Sequence, residues 1–193
     1  GRRARAKAAI ELPPSPVRHD ACGSHFDAVP SAATEQGVSS MKLAWILWLS
    51  HVLPQPAADS LCLSTTVYLE ARDQSALGQQ AVAEVALRRR DSGLWGRNLC
   101  QVVTARKQFA PTLLSPQTRL SNIEAWTEAV SVAFASERNW ALPRSQRKLV
   151  VPGASHFAAT AIASPSWNSA DQVATIGDHT FYRVQSLRPR RGS

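Results

Sequence analysis

A mainly helical α+β fold is predicted by three features of this 193-residue chain. Apolar residues recur at helical spacing from Leu61 to Arg72 and again from Gly78 to Arg90. Ser121-Asn122-Ile123-Glu124 has the form of a capping box, and Ile123, Trp126, Val130 and Phe134 continue a helical stripe towards Asn139. Only the short segments Leu149 to Val151, Ser155 to Ala158 and Thr180 to Val184 suit strands, with Gly177-Asp178 as a turn between apolar stretches. An apolar content of 44% in a chain of this length supports one domain with its own core.

Residues 1–40 mix Arg2-Arg3-Ala4-Arg5-Ala6-Lys7 with Pro13-Pro14-Ser15-Pro16 and scattered small residues. They hold too little apolar surface to pack, and read as a disordered extension or as upstream sequence translated ahead of a start at Met41. Met41 to Leu53 is a short basic start followed by about eleven mostly apolar residues, the length of a signal-peptide core rather than of a bilayer span. Small residues follow at Ala57-Ala58. Residues 41–58 are therefore expected to be an export leader or membrane anchor, capable of transient membrane contact, with a buried N-terminal helix as the other reading. Export would place the product in the periplasm, the cell envelope or the medium.

In the helix that follows, Leu63, Thr66, Val67, Glu70 and Ala71 fall on one stripe, so a carboxylate stands in line with core positions. Burial disfavours its charged form, raises its pKa and leaves a proton available near neutral pH, which is the condition of a general acid. A boundary Glu whose head reaches water, or one paired with Arg72, fits the same spacing. The next helix follows a break at 73–77 that is short enough for an αα-turn.

Tyr68-Leu69-Glu70-Ala71-Arg72, then Gly78-Gln79-Gln80-Ala81-Val82-Ala83, resembles the SleB-type cell wall hydrolases, whose pattern is Tyr-x-Glu-Ala-Arg, then Glu-Gly-Gln and an Ala-Val-Ala helix ending in Asn-Arg. Further blocks match in order: Asn98 to Val103, Gln108-Phe109, Gly153-Ala154-Ser155-His156-Phe157, Pro165-Ser166-Trp167, and Ile176 to Arg183. The resemblance spans residues 61–184. It implies a lysozyme-like single domain with a small β element, acting on the glycan strands of peptidoglycan without a cofactor or metal. The chain departs from the pattern at Asp73-Gln74, where relatives carry Gly-Glu, at Leu77 in place of Glu, and at Ala158 in place of His.

On that resemblance Glu70 is the catalytic acid. Tyr68, Gln108, His156, Trp167, His179 and Tyr182 are expected to line a sugar groove, since rings, amides and imidazoles suit stacking and hydrogen bonding to a glycan; for Trp167 and Tyr182, packing against the helices is the other reading. Asp73, Glu84, Asp171 and Asp178 are the candidates for a second carboxylate, which hydrolysis by the usual paired mechanism requires. A lytic transglycosylase manages with one, and the altered residues after Glu70 favour that route. A non-catalytic envelope-binding module on the same fold is the alternative from another class.

Net charge is +8, and from residue 61 onward 16 Lys and Arg face 9 Asp and Glu. Such a surface attracts polyanions, including envelope phosphates and acidic peptides. No recognition-helix or zinc-finger pattern accompanies it, so no specific nucleic-acid partner is expected. The tail 185–193 is basic, and a monomer is expected. Of three cysteines, Cys22 precedes the leader. Cys62 and Cys100 remain as a pair that would bridge in an oxidising compartment or stay as two reduced core thiols.

Overall fold

The computed structural model describes residues 42–184 apart from 107, 114, 116 and 162–169. Residues 1–40, expected from the sequence to be an extension, together with Met41, Trp167 and the basic tail, lie outside the described residues. Among the described residues, five helices run in order: α1 (Leu43–Val52), α2 (Ala57–Ala71), α3 (Ala76–Ser92), α4 (Leu99–Thr104) and α5 (Ile123–Ala141). Single 3-10 turns at Ala110–Leu113 and Arg144–Gln146 interrupt the connections. Strands β1 (His156–Ala159), β2 (Ala170–Ile176) and β3 (His179–Val184) form an antiparallel sheet in the order β1-β3-β2. The mainly helical α+β expectation is met.

Helix α2 is the axle. It packs against α1, α3, α4 and α5, and Ala58, Cys62, Leu63, Val67 and Tyr68 are fully buried along it. Its polar residues are buried too, and the helix satisfies them internally. The hydroxyls of Ser64, Thr65 and Thr66 donate to the carbonyls of Ser60, Leu61 and Cys62 at 2.7, 2.8 and 2.9 Å, which removes the cost of burying them unpaired. The helix starts at Ala57, four residues before the expected Leu61. The Asp59 carboxylate accepts the backbone N–H of Leu99 at 2.8 Å, at the first turn of α4.

The segment read as a leader forms α1, whose Leu43 and Ile46 are buried in the common core. Its tryptophans point outward instead, with Trp45 61% and Trp48 55% exposed. Among the described residues, no helix is long and apolar enough to cross a membrane.

Helix α3 begins at Ser75, whose hydroxyl accepts the Gly78 N–H, and ends at Gly93 in the left-handed conformation with φ 68°, a C-terminal stop that glycine reaches without steric cost. Helix α5 corrects the expected core stripe. Ile123 and Phe134 are 40% and 47% exposed, and the buried line is Ala125, Ala129, Ala133, Ser136 and Trp140. Small side chains let α5 approach α2 and α3 closely, so the larger apolar residues are left on the outer face. The cap is Asn122, whose Oδ1 accepts the Ala125 N–H at 2.9 Å.

Leu149 to Val151 is not a strand. The N–H groups of Val150 and Val151 donate to the buried Glu84 carboxylate at 2.7 and 3.1 Å, so they are unavailable for a sheet ladder. The strand missing from the sequence reading is β2, which pairs with β3 through the turn at Gly177-Asp178.

A disulfide joins Cys62 of α2 to Cys100 of α4, with the Cα atoms 5.2 Å apart. It closes a loop with a sequence separation of 38 residues, for which chain-entropy arguments give roughly 2–4 kcal/mol of stabilisation. The Cys62→Ser/Cys100→Ser double variant should lose about that much in urea unfolding, with a lower midpoint.

Candidate active site

Four elements meet around an open cleft of about 380 Å³: the C-terminal end of α2, the last turn of α3, the segment 108–110 and the β1-β3 face of the sheet. Glu70 enters from α2, Arg89 from α3, and Gln108, Phe109 and Ala110 from the loop. Phe157, Ala158 and Ala159 come from β1, and His179 from β3.

Glu70 is half-buried, and its Oε1 accepts the backbone N–H of Ala110. Burial raises its pKa above the ordinary 4.5. The Ala110 hydrogen bond and the Arg89 charge oppose the rise without cancelling it. The acid therefore keeps its proton to higher pH than a surface Glu, and the two groups that oppose the shift also hold the carboxylate once the proton has left.

Arg89 is nearly buried. Its Nε donates to the Ser155 carbonyl at 2.8 Å and its Nη1 to the Gln108 side-chain oxygen at 3.2 Å. The guanidinium lies 4.8 Å from the ring centroid of Phe109 and 5.1 Å from that of Trp95. Burial lowers its pKa to about 10, against the pull of Glu70, so it remains a cation at neutral pH.

His179 stands at the start of β3, edge-on to Phe157 with centroids 5.2 Å apart. Burial lowers its pKa, opposed by Asp178, which leaves a neutral imidazole at pH 7. Its Nδ1 is buried with no hydrogen-bond partner among the described residues.

Of the sugar-groove candidates, Gln108 and His179 line the cleft with Glu70. Tyr68 does not: it is fully buried, its hydroxyl accepts the Asn122 N–H at 3.3 Å, and its ring packs edge-on to Trp126. His156 packs edge-on to Trp95, bonds to the Ser155 hydroxyl through Nδ1 at 2.9 Å, and has its pKa lowered to about 4 by burial and by Arg89. Tyr182 lies in the middle of β3, opposite His156 and Gln172. Trp167 falls outside the described residues.

None of the four further carboxylates lines the cleft. Asp73 is exposed, 3.6 Å from Arg72. Glu84 is taken up by Val150 and Val151. Asp171 sits on β2 opposite Arg183. Asp178 receives the Gln74 amide at 3.1 Å while its own N–H donates to Gln74 Oε1 at 2.9 Å. Gln74 thus explains one departure noted in the sequence: an amide both donates and accepts here, whereas a carboxylate would face Asp178 with like charge. The turn is tight, since a Cβ on Gly177 would fall 2.0 Å from Gln74 Oε1. Among the described residues, no three of His, Cys, Asp and Glu gather as metal ligands.

Sequence reasoning passed over Arg89, Phe109, Ala110 and Phe157. Phe109 and Phe157 lay inside the family blocks quoted above and Arg89 just beyond one, but the Ala110 contribution is a backbone N–H and leaves no mark in the sequence.

A helical domain with a small sheet, holding one protonatable carboxyl in an open cleft beside a buried cation, defines the class. Residues 73–182 match the cell wall hydrolase family, and the chain belongs to it. The match begins directly after the Tyr68 to Arg72 stretch. Among solved structures, the chain is similar to the catalytic domain of the germination-specific lytic transglycosylase SleB from Bacillus anthracis. Identity is 24% and the TM-score 0.50, over 67% of this chain and 99% of that one. The fold is thus of the lysozyme-like kind. No curated protein matches the chain.

A raised carboxyl pKa has a stability consequence. The protonated form is favoured by folding, so its contribution is complete below the unfolded-state pKa near 4.5 and is lost as pH rises through the higher folded value. Glu70→Gln should therefore be more stable than the parent chain at pH 7, with the difference vanishing below that unfolded-state value, as measured by urea unfolding at the two pH values.

Proposed function

We propose that the chain cleaves peptidoglycan glycan strands as a lytic transglycosylase, with Glu70 as acid and then base. The observation that carries this reading is a single carboxyl in the cleft among the described residues, with its pKa raised by burial and no second described carboxylate beside it. The family, whose members are described as cell wall hydrolases, and the likeness in fold to SleB support it.

Glu70 protonates the glycosidic oxygen as the C1–O bond of the muramic sugar breaks, releasing the next sugar with a free hydroxyl. The Glu70 carboxylate, now held by the Ala110 N–H and the Arg89 charge, takes the proton from the C6 hydroxyl of the muramic sugar. That oxygen closes on C1, giving a 1,6-anhydro end, and Glu70 regains its proton for the next cycle. The substrate supplies its own nucleophile, so no carboxylate is needed to activate water. Gln108 and the neutral His179 offer hydrogen bonds to sugar hydroxyls, and Phe109 and Phe157 offer apolar faces for the rings.

Glu70→Gln should retain the fold and glycan binding while losing about 10²- to 10⁴-fold in cleavage rate. Mass spectrometry of digested peptidoglycan should find anhydromuramic ends, and Asp73→Asn and Asp178→Asn should both still cleave. Reducing muramic ends as the main product, or inactivation by either Asp substitution, would establish a water-activating carboxylate and strict hydrolysis.

The site of action is outside the cytoplasm, where the substrate lies and where the Cys62–Cys100 bridge is stable. A Met41-started chain expressed in bacteria should be recovered from the periplasm, with its N-terminus near Asp59 by Edman sequencing. An intact leader in the cytoplasm would count against export.

A further inference from the structure

Arg88, Arg144 and Arg147 face Trp140 and Leu149 across a second cavity of about 290 Å³, which shares no lining residue with the Glu70 cleft. The Trp140 indole is flanked by two guanidinium groups, Arg88 at 5.3 Å and Arg147 at 4.7 Å from its ring centroid. A fourth cation, Arg183, lies across the Gly153 backbone, donating to the Pro152 carbonyl at 3.1 Å. Glycine is required beneath it: Gly153 has φ 83°, and a Cβ there would fall 2.6 Å from Arg183 Nε.

The carboxylates near these cations are already engaged. Asp91, which also lines the cavity, accepts the Trp140 indole N–H through Oδ2 at 2.7 Å and Arg90 through Oδ1 at 3.0 Å, and its Oδ2 lies 3.9 Å from Arg147 Nη1. Glu84 Oε1 and Oε2 take the Val150 and Val151 amides, leaving Arg88 Nη2 3.9 Å from Oε2. Arg88 Nη1 donates to the Ala154 carbonyl, but Nη2 is buried with no hydrogen-bond partner among the described residues. Arg144 is exposed and makes no side-chain hydrogen bond or ion pair among the described residues. Three lining cations, Arg88, Arg144 and Arg147, against the committed anions Asp91 and Glu84 leave a surplus of positive charge with a buried donor unmet, and such a donor is stabilised by an incoming anion.

We propose that this cavity is a carboxylate subsite that takes the acidic peptide stem of peptidoglycan. Guanidinium forks match a carboxylate in two-point geometry, and the indole of Trp140 with Leu149 gives an apolar wall for the aliphatic part of an amino acid, which a bare phosphate would not use. The assignment rests on the peptidoglycan reading above and adds to it a second point of substrate contact, linked to the Glu70 cleft through the Ala154 and Ser155 carbonyls that Arg88 and Arg89 grip in turn.

The test is titration of the full chain with the free tripeptide L-Ala-γ-D-Glu-L-Lys, with the same peptide amidated at both carboxyls, and with inorganic phosphate. Binding is followed by calorimetry and by the indole N–H resonance of Trp140, assigned with Trp140→Phe. The tripeptide should bind saturably and move that resonance, and the diamide should not. Arg144→Gln, at an exposed position that leaves the core untouched, should weaken tripeptide binding about tenfold. No shift of the Trp140 resonance, equal binding of the diamide, or affinity unchanged by Arg144→Gln would overturn the proposal. Phosphate binding as tightly as the tripeptide with the same Arg144 dependence would overturn it in favour of a general anion site. Failure of the peptidoglycan reading would show separately, as no cleavage of peptide-free glycan strands by the parent chain.

Discussion

Arg89 is the residue on which the cleft depends. A guanidinium taken out of water is costly unless acceptors and rings replace its hydration. Here the Ser155 carbonyl, the Gln108 side chain and the faces of Trp95 and Phe109 make that replacement. Each partner belongs to a different segment, so one buried cation fixes the lead-in to β1, the loop before Ala110 and the connection after α3. The same charge acts on Glu70. The group that assembles the walls therefore also limits the rise in pKa of the carboxyl between them.

Two glutamates on neighbouring helices show how environment separates structure from chemistry. Glu84 is almost fully buried, and the amides of Val150 and Val151 converge on it, so it behaves as a fixed staple between α3 and the segment before β1. Glu70 is only half-buried, receives one backbone N–H and opens onto solvent through the cleft. A carboxylate with all its lone pairs engaged has little to offer a substrate. One that is partly desolvated and singly held can exchange a proton.

The basic surface has a comparable division of labour. Arg89 is spent on the cleft, Arg90 on Asp91, and Arg88 divides its donors between a carbonyl and an open cavity. Three consecutive arginines on one helix thus point in three directions, about 100° apart, and do three different things.

The sequence by itself determined the parts that depend on local periodicity and local chemistry. Glu70 on the apolar stripe of α2, the turn before α3, the Gly177-Asp178 turn and Cys62 and Cys100 as the candidate pair were legible, because each rests on spacing within one element or on the chemistry of a residue type. The tertiary structure decided what depends on residues far apart in the chain. Ala110 reaches Glu70 across 40 residues through a backbone group that any residue carries, and Gln74 meets Asp178 across 104. The α5 stripe was only partly met for a similar reason: helical spacing put Ile123 and Phe134 in line with Trp126, which does pack on Tyr68, but close helix packing selects alanines, and how closely α2 approaches is a property of the partner. Tyr68 was misplaced because a ring next to a catalytic candidate suits a groove and a core equally well, and only the position of Trp126 and Asn122 puts it beneath the surface.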